Sequence, residues 1–448
     1  MAAYKYSPKS PSPRGRRDSA VRGQRERGKA APLATLNSKR VAPHSPEQEA
    51  ALKAIALFLE KNGDLWPQSN DWLFLRAHYH PELFSETTPA ALAQFYFSSG
   101  GGITCEQSSA RAYRRLGQYL LNPKDRLHRQ TAHCLLFAGY GPQYVPPVGI
   151  CQPWAPHDQP QPAYDMALIL GTSSRQENYV NFKRALESVR PGGWMVFSIA
   201  NSLGANSFER QMAQVLPLGA QMSKFHCRTF AVQVPAEATP KLRQALNEWG
   251  QSYPYRLSPA SGLLTRPGIF SWNKLDGGSA LLGQYLRDKA ELKGVGADFG
   301  SANGYLSKVV LESASAQKGE INRLDLFEDE YLALAAAKEL LKPMAPKGLR
   351  LGFNWADVLV DVPREQYDWI IMNPPFHQGQ TRVLNLGQEF VASASRSLTW
   401  RGTLYAVVNR TLPYEETLVQ YFSSYQKVAE NNSFKVLVAT KPLAQQGC

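Results

Sequence analysis

The feature that most constrains the fold is a series of strands and helices that occurs twice in the same order. The first copy opens on a strand at Tyr164-Asp165, and the second opens on a similar strand at Tyr367-Asp368. Each copy predicts a following helix, a strand after a turn of small residues, a second helix and a closing strand. Duplication of one α/β domain is the economical explanation of this pattern.

The fold class predicted from the repeat is α/β, with two tandem Rossmann-like domains. We expect a basic tail over residues 1–40, a first domain over 41–255 and a second over 256–448. The copies differ chemically, since Gly171-Thr172-Ser173-Ser174 stands where the second copy has Asn373-Pro374-Pro375-Phe376. The first copy also lacks a glycine-rich turn after its opening strand. We therefore expect one active site, with a degenerate N-terminal copy that helps bind the substrate, rather than two active sites.

The positive charge of the chain is concentrated in its first residues. Residues 1–40 contain eleven Lys/Arg and two acidic residues, so they carry +9 of the net charge of +13. The segment is rich in Ser, Pro and Arg and poor in large apolar side chains, which predicts disorder. Such a tail is compatible with binding to phosphate backbones and equally with a solubilising role.

Cysteine usage and hydropathy constrain the cellular compartment in which the protein can work. The five cysteines are scattered and form no CxxC pair, which favours a reducing compartment and argues against a zinc site. No apolar run approaches the length of a membrane-spanning helix, and no secretory apolar segment follows the early basic residues. We expect a cytoplasmic monomer without a metal ion and without a membrane partner.

The most specific motif follows a short apolar run. Residues 369–372 predict a buried strand, and Asn373-Pro374-Pro375-Phe376 comes directly after it. The two prolines fix φ and remove two amide donors, and Asn373 is pushed toward an extended conformation because it precedes a proline. An amide oxygen and a carbonyl on a rigid corner can each accept an N–H of a base amine, while Phe376 stacks on the ring. The alternative is an ordinary Pro-Pro loop after an edge strand.

A second motif predicts a turn that binds a small anionic group. Residues 294–306 read as a strand ending at Asp298, a tight turn and a helix. Gly300 permits close backbone approach, and Gly304 lets the helix pack near the strand. The spacing differs from the dinucleotide pattern GxGxxG, which disfavours a nicotinamide cofactor.

Acidic residues follow the next two elements. The strand after the turn ends at Glu328, where a carboxylate is placed to accept hydrogen bonds from ribose hydroxyls. An acidic helix start is the alternative explanation of that cluster. Asp357 lies just before the strand that leads into Asn373, and it can accept from an adenine amino group or cap a turn.

Together, these motifs resemble a known class of enzymes. The Asn373 corner is similar to motif IV of the amino-methyltransferases that use S-adenosylmethionine. The second half resembles the bacterial ribosomal RNA guanine-N2 methyltransferases, paired small-subunit and large-subunit enzymes that share a duplicated architecture. The segments that carry the resemblance are PGIFSWNKLDGGSALL, ADFGSANGYLS, MNPPFHQG, VVNRTLPYEETL and NNSFKVLVATK. They lie within residues 267–441, whereas the similarity over residues 70–255 rests on the duplicated pattern.

The resemblance implies specific site residues. It implies that S-adenosylmethionine is bound by Asp298, Gly300, Ser301, Gly304, Glu328, Asp357 and Asn373. It also implies that Asp276 and Gly278 lie in a loop that covers the cofactor, and that Asn373, Pro374 and Phe376 hold the guanine. The chain departs from the family at Ala302, where a glycine is usual, and the added methyl group could crowd the methionine end of the cofactor.

The reaction implied by the resemblance is methyl transfer to N2 of one guanine in ribosomal RNA, with the RNA or a ribosomal subunit as partner. The base would have to be unpaired or extruded from its stack. Other hypotheses are adenine N6 or a protein glutamine amide as acceptor, or an RNA-binding assembly factor without catalysis. We expect His377 to be a surface residue rather than a general base. Asn409-Arg410 is compatible with an RNA-facing role and with a polar loop.

Overall fold

The first helix forms because its start is specified by local hydrogen bonds. The Ser45 side chain accepts from the backbone N–H of Gln48 (3.1 Å), and the Gln48 side chain accepts from the N–H of Ser45 (3.0 Å). Ser45-Pro46-Glu47-Gln48 is a helix-start pattern with proline at the first helical position, and Asn62-Gly63 is a typical helix end; the structure has a capping box at Ser45 and the C-cap at Asn62. A computed structural model of the protein describes residues 45–66, 71–84, 102–120, 164–252, 254–317, 320–375, 377–378, 381–382 and 384–443.

The N-terminal lobe is built around a six-stranded sheet. Its strands are β1 (Asp71–Leu75), β2 (Gly102–Glu106), β3 (Tyr164–Leu170), β4 (Val189–Ala200), β5 (Gln221–Lys224) and β6 (Cys227–Gln233). Its α-helices are α1 (Pro46–Lys61), α2 (Pro81–Phe84), α3 (Ala110–Leu120), α4 (Arg175–Ser188), α5 (Ala205–Val215) and α6 (Pro240–Gly250), with short 3₁₀ turns at Gly63–Leu65 and Asn201–Leu203. The strand order is β2-β1-β3-β4-β6-β5, and β6 runs antiparallel to its two neighbours.

The C-terminal lobe contains a seven-stranded sheet. Its strands are β9 (Gly294–Phe299), β10 (Ile321–Glu328), β11 (Arg350–Trp355), β12 (Tyr367–Met372), β15 (Leu398–Asn409), β16 (Phe422–Glu430) and β17 (Phe434–Pro442). Its α-helices are α7 (Gly277–Lys289), α8 (Tyr305–Gln317), α9 (Tyr331–Leu341), α10 (Leu384–Ser397) and α11 (Tyr414–Tyr421), with a 3₁₀ turn at Lys342–Met344. Two short hairpins are β7 (Arg256–Leu257) with β8 (Leu264–Thr265), and β13 (His377–Gln378) with β14 (Thr381–Arg382).

The two sheets follow related strand orders. The order in the C-terminal lobe is β11-β10-β9-β12-β15-β17-β16, with only β17 antiparallel to its neighbours. The described N-terminal sheet has the same order, except that it shows no counterpart of the edge strand β11. The apolar run at residues 133–138, which favours a strand, and the stretch rich in Pro, Gln and Gly at 141–163, which favours a loop, lie outside the described residues. The predicted mixed α/β fold with parallel sheets is confirmed.

Several strands were not predicted from the sequence. β5, β11 and β16 all lie at or next to the edges of the sheets, where partial exposure weakens the apolar pattern. In contrast, the central strands β9 and β12 are buried and fall where the sequence places them. Within the described part of the chain, no helix is long and apolar enough to span a bilayer.

An aromatic cluster lies below the strand ends that carry the acidic residues. Phe299 and Phe327 pack edge to face with ring centroids 5.4 Å apart, and Tyr367 packs edge to face on both. The Tyr367 hydroxyl donates to Asp325 Oδ2 (2.8 Å), which satisfies the polar end of a fully buried side chain. Since Phe299 precedes Gly300 and Phe327 precedes Glu328, this cluster holds the two strand ends in register.

Candidate active site

The turn after β9 has the left-handed backbone that glycine favours. Gly300 and Gly304 have φ of +72° and +84°, and Ala302 between them has φ of +47°. The N–H groups of Gly300 and Ser301 both donate to the Phe327 carbonyl, at 2.9 and 3.1 Å. A side chain at Gly304 would place Cβ 2.6 Å from Leu341, so glycine is required for packing on α9. The sequence predicts close packing of the following helix on the strand, whereas the neighbours that require glycine here are Leu341 and Ala337 of α9.

Asp298 is a buried carboxylate with one free oxygen. The residue is 1% exposed, and its Oδ2 accepts from the Ser307 hydroxyl at 2.7 Å. Its Oδ1 and the Ser301 hydroxyl have no hydrogen-bond partner among the described residues. Burial raises the pKa of Asp298 to about 7. Both residues line the cavity described below, so the turn presents polar atoms that a ligand would satisfy.

Glu328 connects the turn to the next strand. Its Oε2 accepts from the N–H of Ala302 (2.6 Å), and its Oε1 accepts from the N–H of Glu330 (2.8 Å). Desolvation outweighs these hydrogen bonds and raises the pKa of Glu328 to about 8. A carboxylate oxygen can accept two hydrogen bonds, so each oxygen keeps a lone pair for a further donor.

Asp357 lines the same cavity, but a residue from the other lobe contacts it. Arg111 donates from Nε to Asp357 Oδ2 and from Nη2 to Asp357 Oδ1, both at 2.8 Å. Arg111 was not singled out in the sequence. Its only local signal is a helical run with three arginines, and its partner is 246 residues away along the chain.

The Asn373 amide is oriented by its nitrogen end. Nδ2 donates to Asp276 Oδ2 and to the Ser279 hydroxyl, both at 2.8 Å. Asp276 is the N-cap of α7 and also accepts from the N–H of Ser279 (2.7 Å). In the described structure Oδ1 accepts no hydrogen bond, so the side chain presents an acceptor. Pro374 lines the cavity beside it.

Other predicted site residues are placed differently. Gly278 lies in the first turn of α7, where a Cβ would meet the Phe434 ring at 3.0 Å, and it does not line the cavity. Asp276 lines the cavity and also accepts a hydrogen bond from the Asn373 amide. Phe376 lies outside the described residues, and only the backbone of His377 is described, in β13. Asn409, the last residue of β15, accepts at Oδ1 from the N–H and hydroxyl of Thr411 and does not line the cavity.

These groups meet in one cavity of about 590 Å³. Its C-terminal wall contains the glycine turn, the acidic strand ends and the Asn373 corner. Its N-terminal wall contains Gln48, Arg76, His78, Gln107, Arg111 and Thr172. Among the residues that the structure describes, no group of His, Cys, Asp and Glu is arranged to hold a metal ion. The size and the unpaired polar atoms fit a small polar ligand at the glycine turn and a second group at Asn373.

Comparison with known proteins identifies the relatives of this chain. The methyltransferase small domain family matches residues 261–438. The ribosomal RNA small subunit methyltransferase C of Shewanella pealeana is 30% identical over 259 residues, which cover 57% of this chain and 71% of the relative. The protein of the same name from Shewanella halifaxensis is 28% identical over 286 residues, which cover 63% of this chain and 78% of the relative. The chain belongs to the ribosomal RNA small subunit methyltransferase C family.

A solved structure extends the family relationship to the fold of both lobes. A T. thermophilus 16S rRNA N2 methyltransferase, solved in complex with AdoMet and guanosine, matches with a TM-score of 0.60 at 20% identity. The match covers 87% of this chain and 92% of the other protein. Membership of the family confirms the resemblance stated from the sequence motifs, and it identifies the chain as a methyltransferase dependent on S-adenosylmethionine.

Proposed function

We propose that this chain transfers a methyl group from S-adenosylmethionine to the exocyclic N2 of a guanine in small-subunit ribosomal RNA. The observation that carries the proposal is the fixed Asn373 amide, which presents an acceptor in the same cavity as the glycine turn and Asp298. When bound, S-adenosylmethionine supplies an electrophilic methyl group on a sulfonium sulfur. The family relationship supports the same reaction.

The chain's contribution to this chemistry is orientation of a weak nucleophile. The lone pair of a guanine amine is delocalised into the ring, so the amine needs precise placement. Asn373 Oδ1 and the Pro374 carbonyl would each accept one N–H of the amine. Asp276 and Ser279 keep the Asn373 amide from flipping. Asn373 and Pro374 would hold the amine nitrogen where it attacks the sulfonium methyl group, with the thioether as leaving group, and the amine proton would pass to water, so no side chain has to act as a strong base.

The cofactor would be held by the residues of the glycine turn and the two acidic strand ends. Asp298 Oδ1 and Ser301 Oγ, both buried and unpaired in the described structure, would bind the polar amino-acid end. The lone pairs that Glu328 retains would accept from ribose hydroxyls. Asp357 would accept from the adenine amino group.

The N-terminal lobe is proposed to be a degenerate copy of the catalytic lobe, with domains over residues 41–255 and 256–448. Its support is the shared strand order and a shared backbone feature. Arg76 follows β1 as Gly300 follows β9, and Arg76 keeps a left-handed φ of +57°. Gly171, at the position of Asn373, has no side-chain amide, and the hydroxyl of Thr172 beside it donates to Glu177 (2.9 Å). This lobe therefore lacks the amide acceptor and would bind RNA instead.

Substitution of Asn373 by alanine tests the proposed reaction. Loss of the amine acceptor should lower methyl transfer to small ribosomal subunits by about 10²- to 10³-fold. Calorimetric binding of S-adenosylhomocysteine should remain, because Asn373 is proposed to touch mainly the acceptor base. Nucleoside analysis of the product should show N2-methylguanosine, and not N6-methyladenosine.

Asn247→Ala is the matched control, since it removes the same amide from an exposed position of α6 outside the cavity. It should keep normal activity. Near-normal turnover of Asn373→Ala would show that the assigned role is wrong. A wild-type protein that bound no cofactor product would instead favour a non-catalytic assembly factor.

A further inference from the structure

One segment of the N-terminal lobe is joined to the acidic edge of the catalytic sheet by backbone hydrogen bonds. The N–H of Ala110 donates to the Asp329 carbonyl, and the N–H of Tyr331 donates to the Ser108 carbonyl, both at 2.8 Å. Trp355 Nε1 also donates to the Ser108 carbonyl at 2.8 Å. These bonds fix the start of α3 relative to the ends of β10 and β11.

Arg111 is the side chain that this arrangement places in the cavity. Its own N–H donates to Asp329 Oδ1 (2.8 Å), which anchors the residue independently of its side chain. The guanidinium then contacts both oxygens of Asp357 in the bidentate geometry that is characteristic of arginine. The Asp357 carboxylate is 9% exposed, so its orientation is set by these partners and not by solvent.

The hydrogen bonds leave the Asp357 carboxylate with one acceptor position. A carboxylate offers about four lone-pair sites. Oδ1 accepts from Arg111 Nη2 and from the N–H of Leu359 (3.1 Å). Oδ2 accepts from Arg111 Nε and, among the described residues, from no other donor. The remaining site is therefore on Oδ2, beside the Arg111 Nε contact.

We propose that Arg111, a residue of the N-terminal lobe, is a positioning residue for cofactor recognition in the C-terminal lobe. By holding both Asp357 oxygens, it directs the one free lone pair of Oδ2 to the amino group of the cofactor adenine. This inference rests on the proposed cofactor site, and it makes Arg111 a determinant of specificity for adenine. The cofactor site is then complete only when the two lobes are docked.

The test compares two ligands that differ at the recognised group. S-adenosylhomocysteine carries the adenine amino group, and S-inosylhomocysteine carries a carbonyl oxygen in its place. Isothermal titration of the full-length wild type should show a preference of about 10- to 100-fold for the adenine ligand, the range expected for a buried hydrogen bond. In Arg111→Ala this preference should fall below about 3-fold, with a weaker Kd for S-adenosylhomocysteine.

Arg114→Ala provides a matched control for lobe docking. Arg114 lies one helical turn further along α3, pairs with Asp361 of the same loop and does not line the cavity. Its removal should leave the ligand preference within about 2-fold of the wild-type value, as is usual for a partly exposed pair. An equal loss of preference in Arg114→Ala and Arg111→Ala would reduce Arg111 to a docking residue and overturn the proposal.

Arg111→Lys decides the case if the alanine variant does not fold. Lysine keeps the charge but cannot hold both carboxylate oxygens as a planar fork, so the ligand preference should still fall. An unchanged preference in Arg111→Lys, or tighter binding in Arg111→Ala, would refute the positioning role. If the wild-type protein bound neither ligand, the proposed cofactor site itself would be refuted. If the wild type bound S-adenosylhomocysteine and the Arg111 variants kept the same ligand preference, only the role of Arg111 would be refuted.

Discussion

Replacement of Ala302 by glycine should stabilise the protein, although it removes a methyl group from the active-site turn. Ala302 has φ of +47°, in the left-handed region, where an L side chain costs about 1–2 kcal/mol. Glycine removes that cost, but it increases the entropy of the unfolded chain by about 0.4–1 kcal/mol. The expected net gain in the free energy of unfolding is therefore between about 0 and about 1.6 kcal/mol, with a centre near about 0.8 kcal/mol.

The hydrogen bond from the Ala302 N–H to Glu328 should persist, since it uses only the backbone. The measurement is urea-induced unfolding, with the midpoints of the variants compared at an unchanged slope. Ala302→Val is the opposite perturbation and should lower the midpoint, because a β-branched side chain is disfavoured further at positive φ. Ala336→Gly, in the buried face of α9, should destabilise by about 1 kcal/mol.

The order of stability Gly, Ala, Val at position 302 follows from backbone conformation alone. If Ala302→Gly were as destabilising as Ala336→Gly, the turn could not be left-handed in solution, and this reasoning would be refuted. The same variant should bind S-adenosylhomocysteine at least as tightly as the wild type in calorimetry. A clear loss of affinity would mean that the methyl group contributes a useful contact with the ligand, contrary to the crowding expected from the sequence.

Three further predictions concern pH, the tail and packing. Burial raises the pKa of Glu328 to about 8 and the pKa of Asp298 to about 7, from unfolded values of 4.5 and 3.8. The cofactor-free protein should therefore lose stability in thermal melts as pH rises from about 4 to about 8. Calorimetric affinity for S-adenosylhomocysteine should instead rise over about pH 6–8, because ionised Glu328 is the better acceptor; a flat profile in the wild type, or an unchanged profile in Glu328→Gln, would contradict this. Deletion of residues 1–40 should weaken RNA binding and reduce the slope of log K against log salt, whereas an equal slope would leave the tail without a role in RNA binding. Gly296→Ala should lower the urea midpoint by an amount worth about 1–3 kcal/mol, since its Cβ would lie 2.1 Å from the Trp369 ring, and an unaffected midpoint would show that the ring can move aside.

The sequence predicts those elements whose physical causes are local. Helix α1 was predicted because its cap, its first proline and its end all lie within the same segment. Strand β12 was predicted because a central parallel strand is buried on both faces and has a continuous apolar run. Strand β16, at a sheet edge, is exposed or partly buried after its first residue and shows no regular alternation, so its pattern is too weak to distinguish it from a loop.

The site shows the same division between local and distant causes. The glycine turn and the Asn373 corner are continuous motifs, and Gly300, Ser301 and Asn373 line the cavity, whereas Gly278 and Gly304 do not. The sequence could not predict that Asp276 would hold the Asn373 amide, since the two residues are 97 positions apart. Arg111 is a stronger example, because its proposed role depends on a contact between the two lobes that spans 246 residues of sequence.

Residues at the carboxyl ends of both sheets line one cavity, and on the proposed duplication this arrangement explains how a degenerate copy acquires a use. In the C-terminal lobe, the residue after β9 is Gly300, which leaves room for a ligand. In the N-terminal lobe, the corresponding Arg76 keeps a left-handed backbone but places a guanidinium between Glu177 and Glu330, at 3.1 Å from each. On the proposed duplication, the positive side chains at this edge replace a cofactor that the lobe does not bind. The arginines at this edge contact acidic residues of the C-terminal lobe. On this proposal, the same arginines fill the cofactor position of the N-terminal lobe and complete the cofactor site of the C-terminal lobe.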